Sequence, residues 1–196
     1  MRIISGYFKG KKLLQPNDRN TRPLKDLAKE SIFNVLDHSN KFSFELKNSN
    51  ILDLFSGIGS FGLEALSREA GFVSFVENYS NVTKILKKNI SNLNQSIKSE
   101  IIEKDIFKDL NFNNLNRKYD LVFIDPPFKE EKVNKLISEI FKAKVLNSKA
   151  IIIIHRKIRK SHIFPKEIII KDKKTYGISQ IFFCNFKNKT IFLSLF

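Results

Sequence analysis

The feature that most constrains the fold of this chain is an alternation of short apolar runs with amphipathic segments. The apolar runs occupy residues 51–54, 72–76, 101–102, 119–124 and 151–154. The segments between most of them carry apolar residues three and four positions apart, which is the periodicity of a helix. Strands that alternate with helices of this length predict an α/β fold with a doubly wound, mostly parallel sheet.

Both ends of the chain depart from this alternation. Residues 167–170, 178–186 and 190–195 predict strands without intervening helices, and therefore an antiparallel closing edge. The first 25 residues carry seven Lys or Arg and one Asp, and Gly6 and Gly10 interrupt β-prone stretches. We therefore predict a basic N-terminal arm or hairpin over 1–25, followed by one main domain over 26–196 that opens with a helix.

The composition of the chain indicates which partners, metal sites and membrane segments it can have. The 196 residues include 35 Lys or Arg against 20 Asp or Glu, and the resulting charge of +15 favours a polyanionic partner, although a compositional bias of the source genome produces the same excess. The single cysteine, Cys184, excludes an intrachain disulfide, and the three histidines lack metal-ligand spacing. No apolar run has the length of a signal peptide or membrane span. We expect a cytoplasmic protein with no metal site and no membrane partner.

A glycine-rich segment follows the first predicted strand, where a sheet of this type binds ligands. Glu77 ends the second strand and can accept hydrogen bonds from both ribose hydroxyls, while Asp105 follows the third and can accept one from an amino group. Alternatively, Glu77 caps the next helix, which Ser80 or Asn81 is also suited to cap, and Asp105 is a solvated turn residue. The candidate cofactor-binding residues here are Asp53, Phe55, Gly57, Gly59, Glu77, Asn78, Asp105 and Ile106.

The segment Asp125-Pro126-Pro127-Phe128 follows the fourth predicted strand and is the most specific signal in the chain. The prolines fix the backbone, Asp125 supplies an acceptor, and Phe128 supplies a flat apolar face. These properties suit a planar base that stacks on the ring while its exocyclic amino group donates to Asp125 and to a backbone carbonyl. Such acceptors favour the charge that develops when the nitrogen attacks a methyl group. The alternative is a strand that merely ends in a proline turn.

With these residues the chain resembles the bacterial 16S ribosomal RNA guanine-N2 methyltransferases of the RsmD-like family. The resemblance begins at residues 2–6, continues through Arg22-Pro23 and residues 30–34, and includes residues 53–57, 62–68, Glu77, 125–128 and Tyr176-Gly177. It implies a class I methyltransferase fold with a seven-stranded sheet, the cofactor S-adenosylmethionine, and Arg22 and Pro23 near the methionine end of that cofactor.

The same resemblance implies methyl transfer to the exocyclic N2 of a guanine in 16S rRNA, at a site of the guanine 966 type. The implied partner is the small ribosomal subunit or an assembly intermediate, and we expect a monomeric enzyme. The basic arm can neutralise phosphates and offer an aromatic ring to an unstacked base, or it is a solvated hairpin whose lysines maintain solubility. Its candidate RNA-binding residues are Arg2, Tyr7, Lys9, Lys11 and Lys12.

Two other classes of function remain open from the residues. One is an amino methyltransferase that acts on adenine or cytosine in DNA, or on a protein glutamine, because the same acceptors serve any planar amino group. The other is a non-enzymatic RNA-binding assembly factor that keeps a methyltransferase-like fold. The intact glycine loop and the Asp125–Phe128 segment argue against the latter, since binding RNA alone requires neither.

Overall fold

The structure is a computed structural model and describes residues 1–16 and 24–187. Its helices are α1 (Asp26–His38), α2 (Ser60–Ser67), α3 (Ser80–Asn92) and α4 (Val133–Ala143), with short 3₁₀ turns at Ser96–Lys98 and Phe112–Asn114. Its strands are β1 (Asn50–Leu54), β2 (Phe72–Val76), β3 (Ser99–Ile102), β4 (Tyr119–Ile124), β5 (Leu146–Lys157), β6 (Ile168–Tyr176) and β7 (Ser179–Phe186). In this part of the chain no helix has the length and apolar character needed to span a membrane.

The seven strands form one sheet in the order β3-β2-β1-β4-β5-β7-β6. The first five strands in this order run parallel, while β7 is antiparallel to both β5 and β6. This confirms the predicted doubly wound sheet and its antiparallel edge. Strand β6 extends to Tyr176, six residues beyond the predicted end at Ile170, and the strand predicted over 190–195 lies outside the described residues.

Successive residues of the central strands pack into two separate cores, because side chains alternate between the faces of a sheet. Ile51, Phe123 and Ile153 pack on the face covered by α1, α2 and α3. Leu52 and Ile152 pack on the opposite face with α4. Helices therefore cover both faces, which is why these strands are continuously apolar in sequence.

The order of the strands determines where a ligand site can form. From β1 the chain winds outward to β2 and β3, and it then crosses back to place β4 on the other side of β1. The loops after β1 and β4 consequently separate at the carboxyl edge of the sheet. Open α/β sheets bind ligands in the crevice at such a topological switch point.

Residues 1–16, which we call the N-terminal hairpin, dock on α2. An antiparallel bridge pairs Arg2 with Lys12, and Ile3, Phe8 and Leu13 are buried. The turn is attached through Ser67, whose carbonyl accepts from the Tyr7 N–H at 2.7 Å. The opposite face of the hairpin is exposed and basic. The predicted domain boundary near residue 25 stays a prediction.

Gly6 makes the closest backbone approach of the hairpin to α2. A Cβ at Gly6 would lie 1.9 Å from the Ser67 carbonyl oxygen, whereas a Cβ at Gly10 would meet nothing within 4 Å. Both glycines have positive φ, at +77° and +84°, so both alanine variants carry the left-handed backbone cost of about 1–2 kcal/mol. We expect Gly6→Ala to lower the free energy of unfolding by about 3 kcal/mol or more, because a steric clash adds to the backbone cost.

Urea unfolding of the two variants measures this difference, with Gly10→Ala as the matched control for backbone strain alone. Equal losses in the two variants would contradict the docking of the hairpin against Ser67.

Candidate active site

The glycine loop after β1 is held by Glu77, which follows β2. The Gly57 N–H donates to Glu77 Oε2 at 2.9 Å, and the N–H groups of Asn78 and Tyr79 donate to Oε1 at 2.9 and 3.0 Å. A carboxylate offers about four acceptor positions, so roughly one remains for a ligand. The predicted capping of α3 by Ser80 or Asn81 is wrong, since no side chain caps this helix; Glu77 instead binds the N–H groups just ahead of it.

The segment after β3 forms a second wall of the site. Asp105 Oδ1 accepts from the Phe107 N–H at 2.8 Å, and Oδ2 accepts from the Asn78 side-chain amide at 3.3 Å. Ile106 is buried, and the rings of Phe107 and Phe55 lie 5.9 Å apart between centroids. Asp105 thus combines an acceptor with an adjacent apolar surface.

Asp53, within β1, and Gly59, the last residue of the glycine loop before α2, do not line the cleft. Asp53 is 1% exposed and accepts from the Gly62 N–H at 3.0 Å. Burial raises the pKa of Asp53 well above its usual range, the Gly62 hydrogen bond opposes this, and the charges of Asp125 and Glu77 raise it further. The Asp53 carboxyl group therefore binds the backbone at the start of α2 rather than facing the cleft.

The Asp125–Phe128 segment leaves β4 across the switch point from the glycine loop. The Asp125 N–H donates to the Leu54 carbonyl at 3.4 Å, which ties the segment to the end of β1. The Pro127 carbonyl accepts from the Glu130 N–H at 2.8 Å and closes a turn around Phe128. Asp125 Oδ1 lies 2.7 Å from Nδ1 of His155, the residue that follows the apolar run in β5.

A cleft of about 630 Å³ joins these elements. Its volume lies within the range of small-molecule sites, roughly 300–1,000 Å³. It is lined by Phe55, Gly57, Val76, Glu77, Asn78, Tyr79, Lys104, Asp105, Ile106, Phe107, Asp125, Pro126, Pro127, Phe128, Glu130 and His155. In the ranges 1–16 and 24–187, no group of three or more His, Cys, Asp or Glu side chains is arranged to hold a metal ion.

Comparisons with known proteins agree with this architecture. The family model described as "Conserved hypothetical protein 95" matches residues 1–185. The ribosomal RNA small subunit methyltransferase D of Buchnera aphidicola (subsp. Acyrthosiphon pisum) is 36% identical over 172 residues, which cover 88% of this chain and 86% of the relative. The protein of the same name from Haemophilus influenzae is 35% identical over 179 residues, which cover 91% and 90%.

The chain belongs to the ribosomal RNA small subunit methyltransferase D family. Among solved structures, the yhhF protein of Escherichia coli superposes with a TM-score of 0.80 at 25% identity, covering 95% of this chain and 98% of that one. The resemblance to the RsmD-like family and the class I methyltransferase fold are thus confirmed.

In this methyltransferase D family member, the cleft collects most of the residues predicted from sequence. Ten of them line it: Phe55, Gly57, Glu77, Asn78, Asp105, Ile106, Asp125, Pro126, Pro127 and Phe128. Arg22 and Pro23 lie outside the described residues. The candidate RNA-binding residues Arg2, Tyr7, Lys9, Lys11 and Lys12 are all exposed on the N-terminal hairpin. The roles of all these residues stay predictions.

Sequence reasoning missed six residues that line the methyltransferase cleft: Val76, Tyr79, Lys104, Phe107, Glu130 and His155. For His155, the spacing of the histidines indicates no more than a packed or solvated side chain. A usable signal existed, because His155 directly follows the apolar run 151–154 and so occupies the ligand-binding edge of the parallel sheet.

Proposed function

We propose that this protein uses S-adenosylmethionine to methylate the exocyclic N2 amino group of a guanine in 16S rRNA, at a site of the guanine 966 type. The relatives named ribosomal RNA small subunit methyltransferase D support rRNA as the substrate. The observation that carries the proposal is the single cleft in which Glu77 and Asp105 face the Asp125–Phe128 segment across the switch point.

The residues on the β1–β3 side of the cleft fit S-adenosylmethionine. The remaining acceptor position of Glu77 suits a ribose hydroxyl, and Asp105 with Ile106 and Phe107 suits the adenine ring. When bound, S-adenosylmethionine supplies a methyl group that passes to the guanine nitrogen as the carbon–sulfur bond breaks and its electron pair stays on sulfur. The Glu77–Gly57 hydrogen bond holds the loop in shape before the ligand arrives.

The residues on the β4 side of the cleft suit the guanine. The Phe128 ring can stack on the base, and Asp125 can accept a hydrogen bond from its N2 amino group. The acceptor holds the nitrogen lone pair toward the methyl group and stabilises the positive charge that develops on N2. The Asp125 carboxylate then provides an acceptor for the proton that N2 loses.

The function is tested by supplying tritiated S-adenosylmethionine with naked 16S rRNA, small ribosomal subunits, DNA and total protein in parallel. We expect label in the RNA or subunits and, after digestion to nucleosides, only in N2-methylguanosine by mass spectrometry. Label in N6-methyladenine, in N4-methylcytosine or in protein would favour the other amino methyltransferases. No transfer to any substrate would favour a non-enzymatic assembly factor.

Glu77→Ala is expected to weaken S-adenosylmethionine binding by about 1.5–3 kcal/mol, because its one remaining acceptor position can make one hydrogen bond with the ribose rather than the two that the sequence suggested. Isothermal titration calorimetry measures this, with NAD as a ligand that we expect not to bind. Glu139→Ala is the charge-matched control, since Glu139 lies on α4 in an ion pair with Lys135. Unchanged affinity in Glu77→Ala, or binding of NAD instead, would contradict the cofactor assignment.

The N-terminal hairpin is expected to contact RNA phosphates through Lys9, Lys11 and Lys12. Replacing all three by alanine should weaken RNA binding and reduce the log–log salt slope by about 0.7–0.9 for each phosphate that the hairpin no longer neutralises. Cofactor affinity should not change. RNA affinity measured against salt concentration provides the slope for each variant.

A matched control removes the same charge from a part of the surface outside the hairpin. Lys118, Lys144 and Lys149 are exposed where β4 and β5 begin, so their triple alanine variant should keep the wild-type slope. Identical slopes in both triple variants would leave the hairpin as a solvated edge rather than an RNA-binding surface.

A further inference from the structure

His155 contacts both Asp125 and Phe128, the first and last residues of the Asp125–Phe128 segment. Its side chain is buried, its Nδ1 lies 2.7 Å from Asp125 Oδ1, and its ring meets the Phe128 ring edge-on with centroids 5.8 Å apart. One side chain therefore contacts both the acceptor and the aromatic face that would hold a base.

The strand register determines this contact. Ile124, the last residue of β4, pairs with Ile154 of β5 in the parallel ladder, so Asp125 leaves β4 beside His155 of β5. His155 also pairs with Ile181 of β7, which holds it from the other side. A side chain carried on a paired strand is held more precisely than one carried on a loop.

The partner determines the direction of the hydrogen bond. An ionised carboxylate can only accept, so the imidazole donates from Nδ1. In this tautomer Nε2 carries no proton, so no N–H is buried at an atom that has no hydrogen-bond partner among the described residues. The bond matters because the terminal torsion of an aspartate is broad, so an unheld carboxylate rotates.

We propose that His155 is the positioning residue of the methyl-transfer site. It fixes Oδ1 of Asp125 so that Oδ2 is available to the amino group of the base, and it supports the Phe128 ring against which the base stacks. This inference rests on the proposed function and adds to it a residue that acts through Asp125 and Phe128 rather than on the substrate.

Two substitutions separate the hydrogen bond from the ring. His155→Phe keeps an aromatic ring beside Phe128 and removes the donor. His155→Asn removes the ring and retains an amide N–H near the position of Nδ1. We expect His155→Phe to lower kcat about 10- to 100-fold, as small misplacements of a reacting group do, and His155→Asn to recover most of that loss.

The remaining readouts distinguish positioning from a general structural effect. The affinity for S-adenosylmethionine should stay within about threefold of wild type in both variants, and the KM for RNA should do so in His155→Phe, which keeps the ring. His155→Asn should raise the KM for RNA, because it removes the ring that supports Phe128. Ile152→Ala is the control, because Ile152 packs on the opposite face of β5 with α4. It should lower the Tm without lowering kcat at a temperature where all variants are folded.

A wild-type kcat in His155→Phe would overturn the inference while the proposed function stands. An equal loss of kcat in both variants, or a loss that follows the Tm as in Ile152→Ala, would also overturn it. A wild-type protein that methylates no substrate would overturn the proposed function and this inference together. A lower kcat in His155→Phe that is largely restored in His155→Asn would support the positioning role of His155.

Discussion

Asp125→Ala is expected to lower methyl transfer by about two to three orders of magnitude while the affinity for S-adenosylmethionine stays within threefold of wild type. The carboxylate is the acceptor aimed at the reacting nitrogen, and removing one such group from a preorganised site costs about 10²–10³ in rate. The cofactor side of the cleft, at Glu77 and Asp105, is left intact. Single-turnover rates at saturating RNA and calorimetric cofactor titration measure the two quantities.

Asp109→Ala is the matched control, because Asp109 is exposed and lies outside the cleft lining. The Tm of each variant must be measured together with its rate, because Asp125→Ala also removes the hydrogen-bond partner of His155 at 2.7 Å and could lower stability. Near-normal turnover by folded Asp125→Ala protein at saturating substrate would show that the Asp125–Phe128 segment is not the catalytic centre.

Glu64→Gln is expected to lower the free energy of unfolding by about 3–5 kcal/mol, the usual cost of breaking a buried ion pair on one side. Glu64 lies 3.3 Å from Lys29 Nζ, and both side chains are fully buried. Its carboxylate also accepts from the N–H groups of Ile4 and Ser5 at 2.7 and 2.9 Å. The neutral amide has nearly the same shape but removes the negative charge that faces both Lys29 and Arg68, and it leaves Lys29 Nζ with the neutral Arg2 carbonyl at 2.7 Å.

Urea unfolding at constant pH measures the loss. Glu69→Gln is the control, because the Glu69–Lys47 pair is exposed and such pairs contribute little. We expect it to unfold at nearly the wild-type urea concentration. A similar small effect in Glu64→Gln would mean that the buried pair does not stabilise the docked hairpin.

The positions of the site residues along the chain could be predicted because parallel strands end at one edge of a sheet. Glu77, Asp105 and Asp125 each follow an apolar run, and all three line the cleft. The same argument applied to the fifth run would have included His155. Asp53 differs because it lies within β1 on the face turned toward α2, and the register alone decides that it is buried.

Hydrogen-bond partners could not be predicted in the same way. Ser80 and Asn81 have the chemistry of caps, but the N–H groups before α3 are bound by Glu77, which the sheet brings from the end of β2. Ser80 and Asn81 do not cap the helix because the Glu77 carboxylate is already held beside these N–H groups, where it also binds the glycine loop.

The doubly wound sheet and the edge at which the site forms follow from the order of residues alone, because the apolar periodicity and the residues after each run are local properties of the chain. The partners of individual groups depend instead on how the elements pack: His155 with Asp125, Glu77 with the Gly57 N–H, and Lys29 with Glu64. These contacts join residues 20 to 35 positions apart. They depend on strand register and helix packing, which minimise the energy of the whole core rather than of any one segment.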